Sequence, residues 1–224
     1  MTRLFQLLFP FLLINCTSKE VMPDNSFTYL ALGDSYTIGE SVEESSRFPE
    51  QVVQLFSQKD IRFSKPYIIA KTGWTTGNLI NAISTADLHP PYDLVTLLIG
   101  VNNQYQGRSL TEYEIEFELL LNQAIAFAGN DTGHVVVLSI PDWGATPFAA
   151  GRNREQISQE IKAFNAVNKK ITAKKNVQYI DITPGTREAL QDPSLVASDG
   201  LHPSAKEYSR WANAFTTLVE HRYK

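Results

Sequence analysis

Short apolar blocks alternate along the chain with longer stretches in which apolar positions recur every three or four residues. The blocks Phe27–Leu32 (FTYLAL), Tyr67–Ala70, Leu94–Ile99 (LVTLLI), Val135–Ile140 (VVVLSI) and Val177–Ile180 read as strands. LVTLLI carries no alternation, as expected of a strand buried on both faces. The periodic stretches predict helices at Phe48–Gln58, Thr111–Phe127, Arg154–Ala173 and Ala205–Val219, with part of a shorter one at Leu79–Ser84. Glu112, Glu114 and Glu116 stand near the positive N-terminal end of the second of these, where acidic side chains are favourable. Pro141-Asp142 is a turn signal that closes the fourth strand. Strands separated by helices throughout predict a parallel sheet with helices on both faces, an α/β architecture of three α/β/α layers. In such sheets ligands sit beyond the carboxyl ends of the strands, so the polar residues that follow each strand are the candidates for function.

The N-terminus breaks the pattern. Arg3 is followed by the apolar run Leu4–Ile14, too short to span a bilayer and matched to a signal-peptide core. Cys16, the only cysteine, stands just after it. Leu13-Ile14-Asn15-Cys16 resembles a bacterial lipoprotein processing box, in which the cysteine becomes the lipidated first residue, with Asn15 in place of the usual small residue. The expected organisation is a signal peptide over 1–16, a polar linker over 17–26 and one domain over 27–224. Such a protein is exported and is periplasmic or held at a membrane through lipid on Cys16. Plain secretion and an uncleaved anchor are the alternatives.

Composition narrows the classes. A length of 224 residues fits one domain, and 43% hydrophobic with 20% charged residues is enough for an ordinary core. The net charge is −4 with no Lys/Arg block, so no nucleic-acid partner is expected. The chain is expected to act as a monomer. A lone cysteine excludes an internal disulfide framework.

Four polar clusters follow strands or precede the last helix: Gly33-Asp34-Ser35-Tyr36-Thr37, Lys71-Thr72-Gly73-Trp74, Gly100-Val101-Asn102-Asn103 and Asp199-Gly200-Leu201-His202-Pro203. All four should meet at one edge of the sheet. Acyl transfer needs a nucleophile, a base, a group that orients the base, and donors for the developing oxyanion. Ser35 on a strand-to-helix turn can supply the first, although Asp34 or Ser35 could equally serve as a simple helix cap. Of the four histidines, His89 lies in a Pro-rich loop, His221 in the C-terminal tail and His134 at the far end of the fourth strand. His202 remains, three residues after Asp199, a spacing that can bring the carboxylate to one imidazole nitrogen. Gly73 permits close backbone approach and Asn102 offers a side-chain amide; a turn glycine and a helix-capping asparagine are the plainer readings of each.

Together the blocks GDSYT, Gly73, GVNN and DGLHP resemble the four ordered blocks of the SGNH/GDSL hydrolase family, across about Phe27 to Tyr223. The resemblance implies a five-stranded, flavodoxin-like sheet, hydrolysis of esters or thioesters, a small-molecule ester or lipid as the partner, and no metal or cofactor. It implies Ser35 as nucleophile, His202 as base and Asp199 as its partner, with the Ser35 and Gly73 amides and the Asn102 side chain as the oxyanion hole. Asn103 replaces the aspartate usual in the third block. Candidate pocket walls are Ile38, Trp74, Tyr105, Trp143 and Phe148, or else these are loop anchors packed on the core. Lysophospholipase, thioesterase, arylesterase and glycan deacetylase activities all fit. A flavin-binding module is the competing class, because Thr75-Thr76-Gly77-Asn78 resembles a flavodoxin phosphate loop; that loop should follow the first strand, and this one follows the second. A metallophosphoesterase would need D-x-H and G-N-H clusters, which the chain lacks.

Overall fold

The computed structural model describes residues 26–224, so the expected signal peptide, Cys16 and the linker up to Asn25 lie outside the described residues. The chain runs β1 (Tyr29–Asp34), α1 (Ser35–Ile38), α2 (Phe48–Ser57), β2 (Tyr67–Lys71), α3 (Thr76–Ile83), β3 (Leu94–Leu98), α4 (Val101–Tyr105) and α5 (Leu110–Phe127). It continues through β4 (Val135–Leu138), α6 (Arg154–Lys174), β5 (Gln178–Ile180), α7 (Thr183–Arg187) and α8 (Ala205–Val219). All neighbouring strands are parallel, in the order β2-β1-β3-β4-β5.

Burial follows position in the sheet. Every residue of the central strands β1, β3 and β4 is buried, whereas the edge strands β2 and β5 are only partly so. This is why LVTLLI shows no alternation. α2 packs on α8, and α5 lies between α3 and α6, which gives the three layers. The α2–α8 seam is built from apolar residues one helical turn apart: Phe48, Val52 and Phe56 on one side, Tyr208, Trp211, Phe215 and Val219 on the other.

Element boundaries shift by a few residues from the sequence reading, two of them for a clear local reason. Phe27 makes only an isolated bridge with Phe63, and the β1 ladder runs instead from Tyr29 through Gly33 and Asp34, which pair with Ala70 and Lys71. The strand therefore delivers the chain directly to Ser35. α3, which the sequence pattern predicts in part over Leu79–Ser84, begins at Thr76, because Thr75 and Asn78 form a capping box in which each side chain accepts the other's backbone N–H. Thr75-Thr76-Gly77-Asn78, which looks like a phosphate loop, is thus the cap of this helix.

The order 2-1-3-4-5 reverses direction between β1 and β3, and the crevice beyond that reversal is where sheets of this kind bind ligands. Ser35 follows β1 and Asn102 follows β3.

Candidate active site

Ser35 is the first residue of α1 and is almost fully buried. The turn that carries it needs glycine at 33: a Cβ there would lie 2.1 Å from Thr37 Oγ1 and 2.5 Å from the carbonyl oxygen of Leu98. Asp34 caps α1, accepting the Tyr36 N–H at 3.0 Å. Cap and serine are therefore adjacent residues with separate roles. Burial pushes the Asp34 carboxyl up to about 7, against the opposing effect of hydrogen bonds from the Tyr36 N–H and the Asn102 amide.

The turn before α8 holds Asp199 and His202. Asp199 Oδ1 accepts the N–H groups of Leu201 at 2.9 Å and His202 at 3.0 Å, which fixes the turn. Oδ2 faces His202 Nδ1 at 2.5 Å and accepts the Ser41 hydroxyl at 2.8 Å. Burial works to raise the Asp199 carboxyl, but the His202 ring, these two N–H groups and Ser41 outweigh it and hold the carboxyl at about 2. With Nδ1 donating to this carboxylate, Nε2 is the free acceptor, and it lies 2.9 Å from Ser35 Oγ. The imidazole is buried and packs on the Tyr36 ring, centroids 5.0 Å apart.

Asn102 sits in α4 and points its amide at the same turn. Its Nδ2 donates to the Trp74 carbonyl at 3.0 Å, while Asp34 Oδ2 is 3.5 Å away. One amide hydrogen is thereby anchored and the other meets only a long contact. Gly73 has φ +81 at the turn after β2, and a Cβ there would meet nothing within 4 Å. Glycine is favoured at 73 by backbone conformation, not by crowding. The Gln106 side chain holds the Gly73 carbonyl at 3.3 Å. Asn103 braces the scaffold instead. Its Oδ1 accepts the Thr76 N–H at 3.0 Å and its Nδ2 reaches Thr76 Oγ1 at 2.6 Å, tying α4 to the start of α3.

A cavity of about 150 Å³ opens beside Ser35 and His202. Of the candidate wall residues, Tyr105, Trp143 and Phe148 line it, and Ile38 and Trp74 do not. Ile38 ends α1 half-buried, and the half-buried Trp74 packs against the core while its carbonyl takes the Asn102 amide. Tyr36, Val101 and Leu201 complete the lining and were missed. Each is the chain neighbour of a motif residue, and that adjacency was the available signal. Trp143 is fixed by its indole N–H to Gln104 Oε1 at 2.7 Å, and the Gln104 amide reaches Glu160 at 2.7 Å. The preceding Asp142, fully buried, caps this turn through Gly144 N–H at 3.0 Å and pairs with Arg187 at 2.8 Å. The wall is thus braced from α4, α6 and α7.

The sheet order, with helices on both faces and these four clusters at one edge, is the SGNH-type hydrolase fold. The chain belongs to the GDSL-like lipase/acylhydrolase family, whose model matches residues 31–210, and is accordingly an ester-bond hydrolase. Several solved structures are similar. A lipase/acylhydrolase from Enterococcus faecalis is 20% identical with TM-score 0.67, over 88% of this chain and 97% of that one. A lipolytic protein of the G-D-S-L family from Veillonella parvula is 21% identical with TM-score 0.63, over 88% and 100%. An acetylxylan esterase from Geobacillus stearothermophilus is 18% identical with TM-score 0.67, over 86% and 94%. Identities this low carry the likeness of fold alone. Among curated proteins no sequence match is found.

Proposed function

We propose that the chain is a serine esterase that cleaves carboxylic ester or thioester bonds through an acyl-enzyme on Ser35. The observation that carries this reading is the 2.9 Å approach of His202 Nε2 to Ser35 Oγ, with Nδ1 held by Asp199. As Ser35 Oγ bonds to the substrate carbonyl carbon, its proton passes to Nε2, and the imidazolium formed is stabilised by the Asp199 carboxylate. The carbonyl oxygen becomes an oxyanion, met by the Ser35 and Gly73 amides and the Asn102 side chain. Collapse expels the alcohol or thiol, which takes the proton from His202. Water then adds by the same route, His202 accepting its proton and returning one to Ser35 as the acid leaves.

The small aromatic-walled cavity suits a short acyl group or an aromatic ester. Lysophospholipase-like or arylesterase-like turnover is the first expectation, and removal of O-acetyl groups from a carbohydrate is the second, favoured by the cavity's size. The same reading includes export, with lipid carried on Cys16. Fractionation of a Cys16→Ser variant tests that part: an unchanged split between membrane and soluble fractions leaves plain secretion.

Fluorophosphonate labelling, with p-nitrophenyl esters of graded length beside an acetylated sugar and an acyl-CoA, tests the reaction and its range. Ser35→Ala should abolish both labelling and hydrolysis with the fold intact. Retention of a tenth of wild-type turnover would remove Ser35 as nucleophile.

A further inference from the structure

The ring wall of the cavity carries a cation. The guanidinium carbon of Arg152 lies 5.5 Å from the Tyr105 ring centroid, 5.3 Å from Trp143 and 5.2 Å from Phe148. Arg152 Nη2 is 3.4 Å from the Tyr105 hydroxyl oxygen. The three rings pack on one another, with centroids 5.3, 6.3 and 6.0 Å apart, so the charge stands over a preformed cluster. Ring quadrupoles attract a cation and fix its place, but they do not neutralise it. Arg108, Arg187 and Arg210 each pair with a carboxylate, whereas Arg152, like Arg47, Arg62, Arg154 and Arg222, pairs with none among the described residues. It is also exposed, and it stands outside the cavity lining, over three rings that form part of that lining. A guanidinium in this state keeps planar donor edges free for an anion.

We propose that Arg152 determines specificity at this site by selecting esters that bear an anionic group, carboxylate or phosphate, on the part of the substrate lying along the Tyr105–Trp143–Phe148 wall. The inference rests on the assignment of Ser35 as nucleophile. Carboxylate and phosphate share the chemistry that a guanidinium recognises, a planar or tetrahedral set of oxygens that takes paired N–H donors. The apolar rings meet the carbon skeleton, and the guanidinium that stands over them meets the anionic end.

The test compares kcat/KM for wild type, Arg152→Gln and Arg152→Lys on matched esters. One pair is neutral p-nitrophenyl pentanoate and mono-p-nitrophenyl glutarate; the other is phenyl acetate and 4-acetoxyphenyl phosphate. An acetoxyphenyl trimethylammonium ester is the cationic control. Taking the ratio of anionic to neutral substrate within each variant removes differences in intrinsic reactivity. Arg152→Gln should lower that ratio roughly fivefold, the scale of a solvent-exposed ion pair, and Arg152→Lys should keep much of it. Which pair responds separates a carboxylate on the acyl side from a phosphate on the leaving-group side. An unchanged ratio in both pairs would reduce Arg152 to a packing residue and overturn the inference. A selective gain for the cationic ester in Arg152→Gln would overturn it too, making the rings a cation site that Arg152 fills. Fluorophosphonate labelling of wild type keeps the two levels apart. Labelling with an unchanged ratio defeats only the inference, whereas no labelling and no hydrolysis of any ester defeats the nucleophile assignment and the inference with it.

Discussion

The Ser41 hydroxyl and the His202 ring share one oxygen of Asp199, Oδ2, at 2.8 and 2.5 Å. Ser41 makes this contact from a left-handed conformation, φ +64, in the loop that follows α1. A non-glycine residue there costs about 1 kcal/mol, so the loop holds a conformation in which the hydroxyl can reach the carboxylate. Ser41→Ala should lower kcat roughly threefold to tenfold with little change in KM, because Asp199 keeps its other contacts but loses one restraint on its carboxylate. Ser41→Gly should show the same kinetic loss yet melt higher than Ser41→Ala, since glycine accepts the conformation freely. Equal kcat in wild type and both variants would leave Ser41 no positioning role.

Asp199→Asn should leave KM nearly intact and cut kcat by orders of magnitude, about 10⁴ where such a replacement fixes the wrong tautomer. The structure gives the reason. Oδ1 accepts two backbone N–H groups, so an asparagine oxygen is drawn to that side and its NH₂ faces His202 Nδ1. The ring must then present N–H toward Ser35. Raising the pH should not restore the rate, because the defect is a misplaced proton and not an excess one. A pH-rate profile in which activity recovers above neutrality would count against this account.

How much of this could be read from the sequence depends on how local each cause is. The buried strands and the α2 and α8 helices declare themselves because burial on both faces leaves a continuous apolar run, as in LVTLLI, and burial on one face leaves a periodic trace, as in Tyr208, Trp211 and Phe215. Asp199 and His202 are three residues apart, so a single turn sets their geometry. Ser41 left no trace, because its contact with Asp199 depends on two distant loops meeting in three dimensions. Which aromatic residues form the wall is illegible for a related reason. Trp143 is an anchored wall through Gln104 and Asp142, contacts that no spacing encodes, while Trp74 lies beside Gly73 yet turns to the core.

Asp34 makes stability depend on pH in an unusual direction. Its carboxyl is pushed up to about 7 by burial, so between roughly pH 4 and 7 the folded protein holds a proton that the unfolded chain has lost. Stability from this residue is full below that window and falls as pH rises through it. Asp34→Asn keeps an N-cap acceptor for the Tyr36 N–H and removes the titration. Melting curves from pH 4 to 8 should therefore diverge, wild type losing up to a few kcal/mol relative to Asp34→Asn, a ceiling set by about 1.4 kcal/mol per pKa unit. Parallel curves for the two proteins would show that Asp34 is ionised at no such cost.

Asn102 should fail differently from Asp199, because the oxyanion exists only in the transition state and its intermediate. Asn102→Ala should lower kcat and kcat/KM together, by roughly 10² to 10³, with KM barely changed. Ser35 should still react slowly with a fluorophosphonate, since His202 and Asp199 are untouched. The anchoring of one amide hydrogen on the Trp74 carbonyl at 3.0 Å adds a second expectation. Asn102→Asp keeps the size of the side chain but sets oxygens against that carbonyl and against Asp34 Oδ2, 3.5 Å from the present amide nitrogen. It also directs negative charge at the developing oxyanion. It should therefore be at least as damaging as alanine, in spite of being nearly isosteric. If Asn102→Asp retained more activity than Asn102→Ala, shape and not hydrogen-bond donation would be the contribution of this residue. If Asn102→Ala raised KM alone, the amide would belong to ground-state binding, and the oxyanion would be left to the two backbone N–H groups.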